Sequence, residues 1–133
     1  MILADQVITL AAALLLLAVF VTLLRFSSSV TYRSRIVSEQ RAEVLLKDVL
    51  TAGQFHQLRR RGYLDVPSPS RPNRTYRIPR SRDQVRVYEE GRLIERLCVQ
   101  AIEPVPTGDV VLMHKLMIEG NEQEYLRIAN HFR

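Results

Sequence analysis

Between Val7 and Leu24 the chain reads VITLAAALLLLAVFVTLL, with no charge, proline, glycine or histidine. As a helix rising ~1.5 Å per residue this run extends ~27 Å, close to the hydrocarbon thickness of a bilayer. It has no polar face, so it does not read as the amphipathic helix of a soluble core. A cleaved signal peptide has a positive start, a shorter apolar stretch and a small-residue cleavage site. Here the start is Met-Ile-Leu-Ala-Asp-Gln, without Lys or Arg, and the run ends in Leu23-Leu24-Arg25-Phe26. Ser27-Ser28-Ser29 leaves a cleavage site as the alternative, but the flanks favour a retained transmembrane helix over residues 7–25.

Arg25, Arg33, Arg35 and Arg41 follow the span, against a lone Asp5 before it. Positive flanks stay on the cytoplasmic side, which predicts an extracytoplasmic tail (1–6) and a cytoplasmic C-terminal part at the plasma (inner) membrane. Residues 26–36 are polar, basic and β-branched and are expected as a juxtamembrane linker; the alternative, extension of the span into one long helix, is disfavoured by the serines and Thr31. Residues 37–133 are long enough for one small domain. The single cysteine, Cys98, excludes an intramolecular disulfide and fits a reducing compartment.

Local patterns predict an α+β domain, a short antiparallel sheet flanked by helices in the order α-α-β-β-β-α-α. Val37, Ala42, Leu45, Leu46 and Val49 fall at helical spacing. Thr51-x-x-Gln54 resembles a capping box opening a second helix that carries Phe55 and Leu58, and Gly62 is placed to end it. Asp65 to Asn73 holds three prolines and reads as an irregular loop. Strands are expected at 75–78, 84–88 and 92–100, the last two joined by a Glu90-Gly91 turn. Asp109 is the expected cap of a helix over 110–118 ended by Gly120, and Asn121-x-x-Glu124 opens a last helix running through Phe132. The helix at 110–118 is apolar nearly all round, which places it between sheet and last helix.

Charge is unevenly distributed. From Arg25 to Arg86 the chain carries 14 basic and 5 acidic residues, whereas Val87 to Arg133 carries 5 basic and 8 acidic. The basic residues are almost all arginine, the side chain suited to bidentate carboxylate and phosphate contacts. Arg33, Arg35, Arg59, Arg60, Arg61, Arg71, Arg74, Arg77, Arg80 and Arg82 are therefore the candidate partner- or lipid-binding residues. Three kinds of partner suit them: anionic lipid headgroups, an acidic face of a larger membrane protein complex, and nucleic acid.

No catalytic constellation is evident. Cys98 sits inside an expected strand, where a buried structural thiol is the ordinary reading. His56, His114 and His131 lie on three different elements without metal-ligand spacing, and His114 reads as a hydrogen-bonded core histidine. Phosphate-loop, dinucleotide and nucleophile-elbow motifs are missing. No cofactor or metal is expected. The reading is a non-enzymatic, membrane-anchored accessory or scaffold subunit that docks on a membrane complex or the anionic inner membrane face.

One alternative rests on a local likeness. Leu58 to Ser68, followed by Arg74-Thr-Tyr-Arg-Ile78, resembles the recognition-helix end and wing of winged-helix DNA-binding regulators over about thirty residues. That resemblance implies a membrane-tethered nucleic-acid-binding protein. The sequence departs from it in having one clear helix before Thr51 and a further hairpin beyond the would-be wing.

Overall fold

The computed structural model describes residues 2–103 and 105–133, with side chains outside 2–5 and 26–31. The protein divides into two compact units, Met1–Val37 and Ser38–Arg133. The first unit belongs to helix α1 (Ile2–Val49), whose segment Gln6–Arg25 is long and apolar enough to span a membrane or to serve as a signal sequence. None of that segment is buried by protein. Its two threonines are satisfied within the helix: Thr9 Oγ1 donates to the Gln6 carbonyl at 2.9 Å and Thr22 Oγ1 to the Val19 carbonyl at 2.7 Å. An apolar environment demands such internal pairing.

Residues 26–36, expected as a linker, are helical in α1. No proline or glycine occurs before Gly53. Ser, Thr and Val weaken a helix by only ~0.5 kcal/mol each, too little to end one.

The second unit is α+β. It takes the end of α1, α2 (Ala52–Arg61), β1 (Tyr63–Pro67), β2 (Arg74–Pro79), β3 (Val85–Glu89), β4 (Arg92–Cys98), α3 (Thr107–Ile128) and β5 (Asn130–Phe132). The strands form one antiparallel sheet in the order β1-β2-β3-β4-β5. Three strands were expected; the two extra ones are the edges. Tyr63 to Pro67 pairs with β2 although Pro67 and Pro69 mark it as loop. Proline is tolerated there because an edge strand has one side without ladder bonds. Only 68–73 remains a loop, closed by Ser68 N donating to the Arg74 carbonyl at 2.9 Å.

At the C-terminal end, Asn130–Phe132 leaves the expected helix and pairs with β4, with Phe132 opposite Arg96. The β4 edge offers unpaired backbone groups that a short strand satisfies. The expected break between the last two helices is present inside α3, where Asn121 takes φ −158° and ψ 82°. Asn121 Oδ1 accepts from Glu124 N at 3.1 Å and so caps the second segment. The expected cap Asp109 lies inside the first turn instead. Thr107 N donates to the Glu39 carboxylate of α1 at 3.1 and 3.2 Å, so the carboxylate at this helix start comes from another element.

The Glu90-Gly91 turn is as expected, both residues at positive φ (51° and 78°) with Glu89 opposite Arg92. Alternation in the strands places Leu64, Val66, Tyr76, Ile78, Val85, Val87 and Leu97 inside, against Val111, Leu112, Ile118 and Tyr125 of α3. Leu46, Leu50 and Leu58 complete the core. On α1 the buried stripe is Ala42 and Leu46, continued by Leu50 just past the helix end; Val37, Leu45 and Val49, expected on the same face, are exposed. The stripe follows strict i, i+4 spacing because Gly108 of α3 sits against it, close to Ala42 and Leu46.

Candidate functional site

Helix α2 is set by its ends. Gln54 N donates to Thr51 Oγ1 at 3.3 Å and Thr51 N to Gln54 Oε1 at 3.1 Å, the expected capping box. Gly62 takes the left-handed conformation (φ 73°) that glycine adopts without strain, and its N–H donates to the Leu58 carbonyl. Leu58 is buried, while Arg59, Arg60 and Arg61 occupy the last turn, where cations suit the helix dipole.

Most candidate arginines are held by the fold itself. Arg59 Nη1 lies 3.0 Å from Glu43 Oε1, and Arg80 Nη2 lies 2.6 Å from Glu43 Oε2. Arg71 and Arg74 both reach Glu89 Oε1, at 3.3 and 3.5 Å. Arg77 grips Asp65 with Nε and Nη2, at 2.8 and 3.1 Å. Its guanidinium lies between the Tyr63 and Tyr88 rings, 4.0 and 4.8 Å from their centroids. Arg82 Nη2 donates to the Val105 carbonyl at 2.7 Å. The acidic residues Glu43, Asp65 and Glu89 thus neutralise much of the basic stretch within the domain, an arrangement that residue spacing alone does not reveal.

Arg60 and Arg61 differ: both are exposed, and neither has a hydrogen-bond or ion-pair partner among the described residues. Arg33 and Arg35, in the first unit, are exposed on α1. Arg60 borders an open groove of about 1010 Å³ between the end of α1 and α2. Val44 and Phe55 supply its apolar surface, with Lys47, His56 and Arg59 also at its walls. Val44 is 62% exposed, on the side of α1 turned away from the buried Leu46. The one sequence signal for this groove was Val44, an aliphatic residue on the side of the helix opposite the Ala42/Leu46 stripe.

A second hollow, of about 310 Å³, is lined among others by Leu97, Cys98, Val99, Val110 and His114. Cys98 lies in β4 as expected, but it is half-buried at this hollow rather than sealed in the core. His114 is a buried core histidine, its Nδ1 2.9 Å from the Tyr125 hydroxyl. Burial lowers its pKa to about 4, so the ring is neutral at neutral pH. His56 is on α2 and His131 on β5, where His131 Nδ1 lies 2.8 Å from Glu95. Among the described residues no three His, Cys, Asp or Glu side chains converge as a metal site.

The most connected buried polar group is Glu122 of α3. It accepts from Ser68 Oγ at 2.6 Å, Ser70 N at 3.1 Å and the Tyr76 hydroxyl at 2.5 Å. Burial pushes its pKa up, but these hydrogen bonds outweigh that and hold the carboxyl below its ordinary value. The three donors tie the 68–73 loop to α3, a role that spacing in the sequence did not signal.

The hairpin β1–β2 follows α2 in the order the winged-helix resemblance implies. It continues directly into β3 and β4, and its Arg77 is committed to Asp65. No family model, curated protein or solved structure matches the chain.

Proposed function

We propose that this is a non-enzymatic, single-pass membrane-anchored docking subunit. Gln6–Arg25 is its anchor, with the N-terminus outside and the α+β domain in the cytoplasm, in line with the arginines after the span. The domain docks through the groove between α1 and α2 onto an acidic face of a larger membrane protein complex. The observation that carries this reading is the exposed Val44 beside the half-buried Phe55, with Arg60 at the groove edge unpaired among the described residues. An apolar centre with an arginine rim is the ordinary composition of a protein interface.

Two measurements test it. A reporter fused after Arg133 that is active only outside the cytoplasm is expected to stay silent; a strong signal overturns the orientation. In mild detergent, the full chain is expected to co-purify with a membrane complex. Val44→Ser combined with Arg60→Ala is expected to remove that complex while the variant remains folded and membrane-bound. Undiminished recovery of the complex overturns the groove as the docking surface.

A further inference from the structure

The outer face of the sheet carries a row of like charges. In register across the strands, Arg77 of β2 stands opposite Arg86 of β3, and Arg86 stands opposite Arg96 of β4. Arg77 is neutralised by Asp65, its neighbour on β1. Arg86 and Arg96 are exposed, and no carboxylate pairs with either among the described residues. Glu95, the nearest acid on β4, is occupied by His131. Like charges directly opposite one another in a sheet are destabilising, so the pair is a feature the fold does not itself reward.

The surroundings indicate what the pair meets. Leu93 on β4, opposite Tyr88 and so on the face of Arg86, is 43% exposed, and Phe132, opposite Arg96 on β5, is 45% exposed. Exposed aliphatic and aromatic side chains beside unpaired arginines match the interface of an anionic bilayer. Apolar groups enter the headgroup boundary there while arginine meets phosphate. A single-stranded nucleic acid would instead stack its bases on aromatic faces, for which this surface offers Phe132 beside the aliphatic Leu93. The Tyr63 and Tyr88 rings already stack on Arg77.

We infer that the outer sheet face, through Arg86 and Arg96 with Leu93 and Phe132, is a docking surface for anionic phospholipid headgroups. This rests on the anchor reading above, since the anchor holds the domain near a bilayer. The surface is separate from the α1/α2 groove, which leaves the groove for a protein.

The experiment uses the full chain with Cys98→Ser and Leu93→Cys, labelled at position 93 with an environment-sensitive fluorophore. It is inserted into nanodiscs of phosphatidylcholine alone or with phosphatidylglycerol. The expected result is blue-shifted, stronger emission in the anionic discs only. It should reverse at 1 M salt, where the Debye length falls to about 3 Å. Arg86→Gln with Arg96→Gln is expected to abolish the shift, and Arg86→Lys with Arg96→Lys to retain most of it, which separates charge from packing. Equal emission in neutral and anionic discs, with the chain inserted, overturns the proposal. So does a shift produced by added single-stranded RNA in neutral discs. A chain recovered outside the discs overturns the anchor reading, and this proposal with it.

Discussion

The Tyr76 hydroxyl donates to Glu122 Oε1 across 2.5 Å, joining β2 to the second segment of α3 beneath the 68–73 loop. The same carboxylate accepts from Ser68 and Ser70, so one buried acid fixes a strand, a loop and a helix together. Its position follows from the break at Asn121, after which α3 resumes with Glu122 facing inward.

Removing that acid leaves its donors unsatisfied in the interior. Glu122→Ala is expected to destabilise the domain by about 3 kcal/mol, since buried hydrogen bonds to charged groups contribute about 1.5–3 kcal/mol each and are not additive. Tyr76→Phe removes a single donor and is expected to cost about 1–2 kcal/mol. Chemical denaturation followed by circular dichroism measures both. Equal small losses would show that the carboxylate does not organise the loop.

Acid should weaken the fold through His114. Its pKa is lowered to about 4 from an ordinary 6.5, so between these values the unfolded chain binds more protons than the folded one. Stability therefore rises with pH across this window and is lost as pH falls from about 6.5 to about 4. The slope is about 1.4 kcal/mol per pH unit and the total about 3 kcal/mol. Glu122, with its pKa held low, adds a further loss as pH falls through the carboxylate range. Melting temperatures of the native chain and His114→Asn, followed from pH 7 to pH 4, check the assignment. The variant is expected to show the shallower slope.

Gly108 is where α3 meets α1. A Cβ there would stand 2.8 Å from Leu46 Cδ1 and 3.1 Å from the Ala42 carbonyl oxygen. The leucine tip can yield, the carbonyl cannot, and Gly108→Ala is expected to cost about 1–2 kcal/mol by overpacking. An unchanged melting temperature would mean that the two helices separate without cost.

The arginines should divide into two groups. Arg77→Lys loses the two-point grip on Asp65 and the stack between Tyr63 and Tyr88, with an expected cost of about 1–2 kcal/mol. Arg60→Ala with Arg61→Ala is expected to change stability by less than about 0.5 kcal/mol, as surface substitutions do. Denaturation midpoints of the two variants decide between these outcomes.

Several local signals carried through to the structure. The Thr51/Gln54 capping box, the Gly62 stop, the Glu90-Gly91 turn and the Asn121 cap are all contained within a few residues. Local hydrogen bonding and backbone preference suffice to specify them. The edge strands were not legible for the opposite reason. Asn130–Phe132 extends because β4, more than thirty residues back in sequence, presents unpaired backbone groups, and Tyr63–Pro67 extends against β2 across a loop whose prolines hide the pairing.

The candidate surfaces divide in the same way. The apolar run at Gln6–Arg25 and the excess of arginine before Arg86 are properties of composition, and sequence alone determined them. Which arginines are available was decided by tertiary structure. Folding brings Glu43 to Arg59 and Arg80, Asp65 to Arg77, and Glu89 to Arg71 and Arg74, while Arg60, Arg61, Arg86 and Arg96 have no partner among the described residues. The physical reason is that an ion pair depends on distance in space. Strand register and helix packing, rather than separation along the chain, bring each carboxylate within reach.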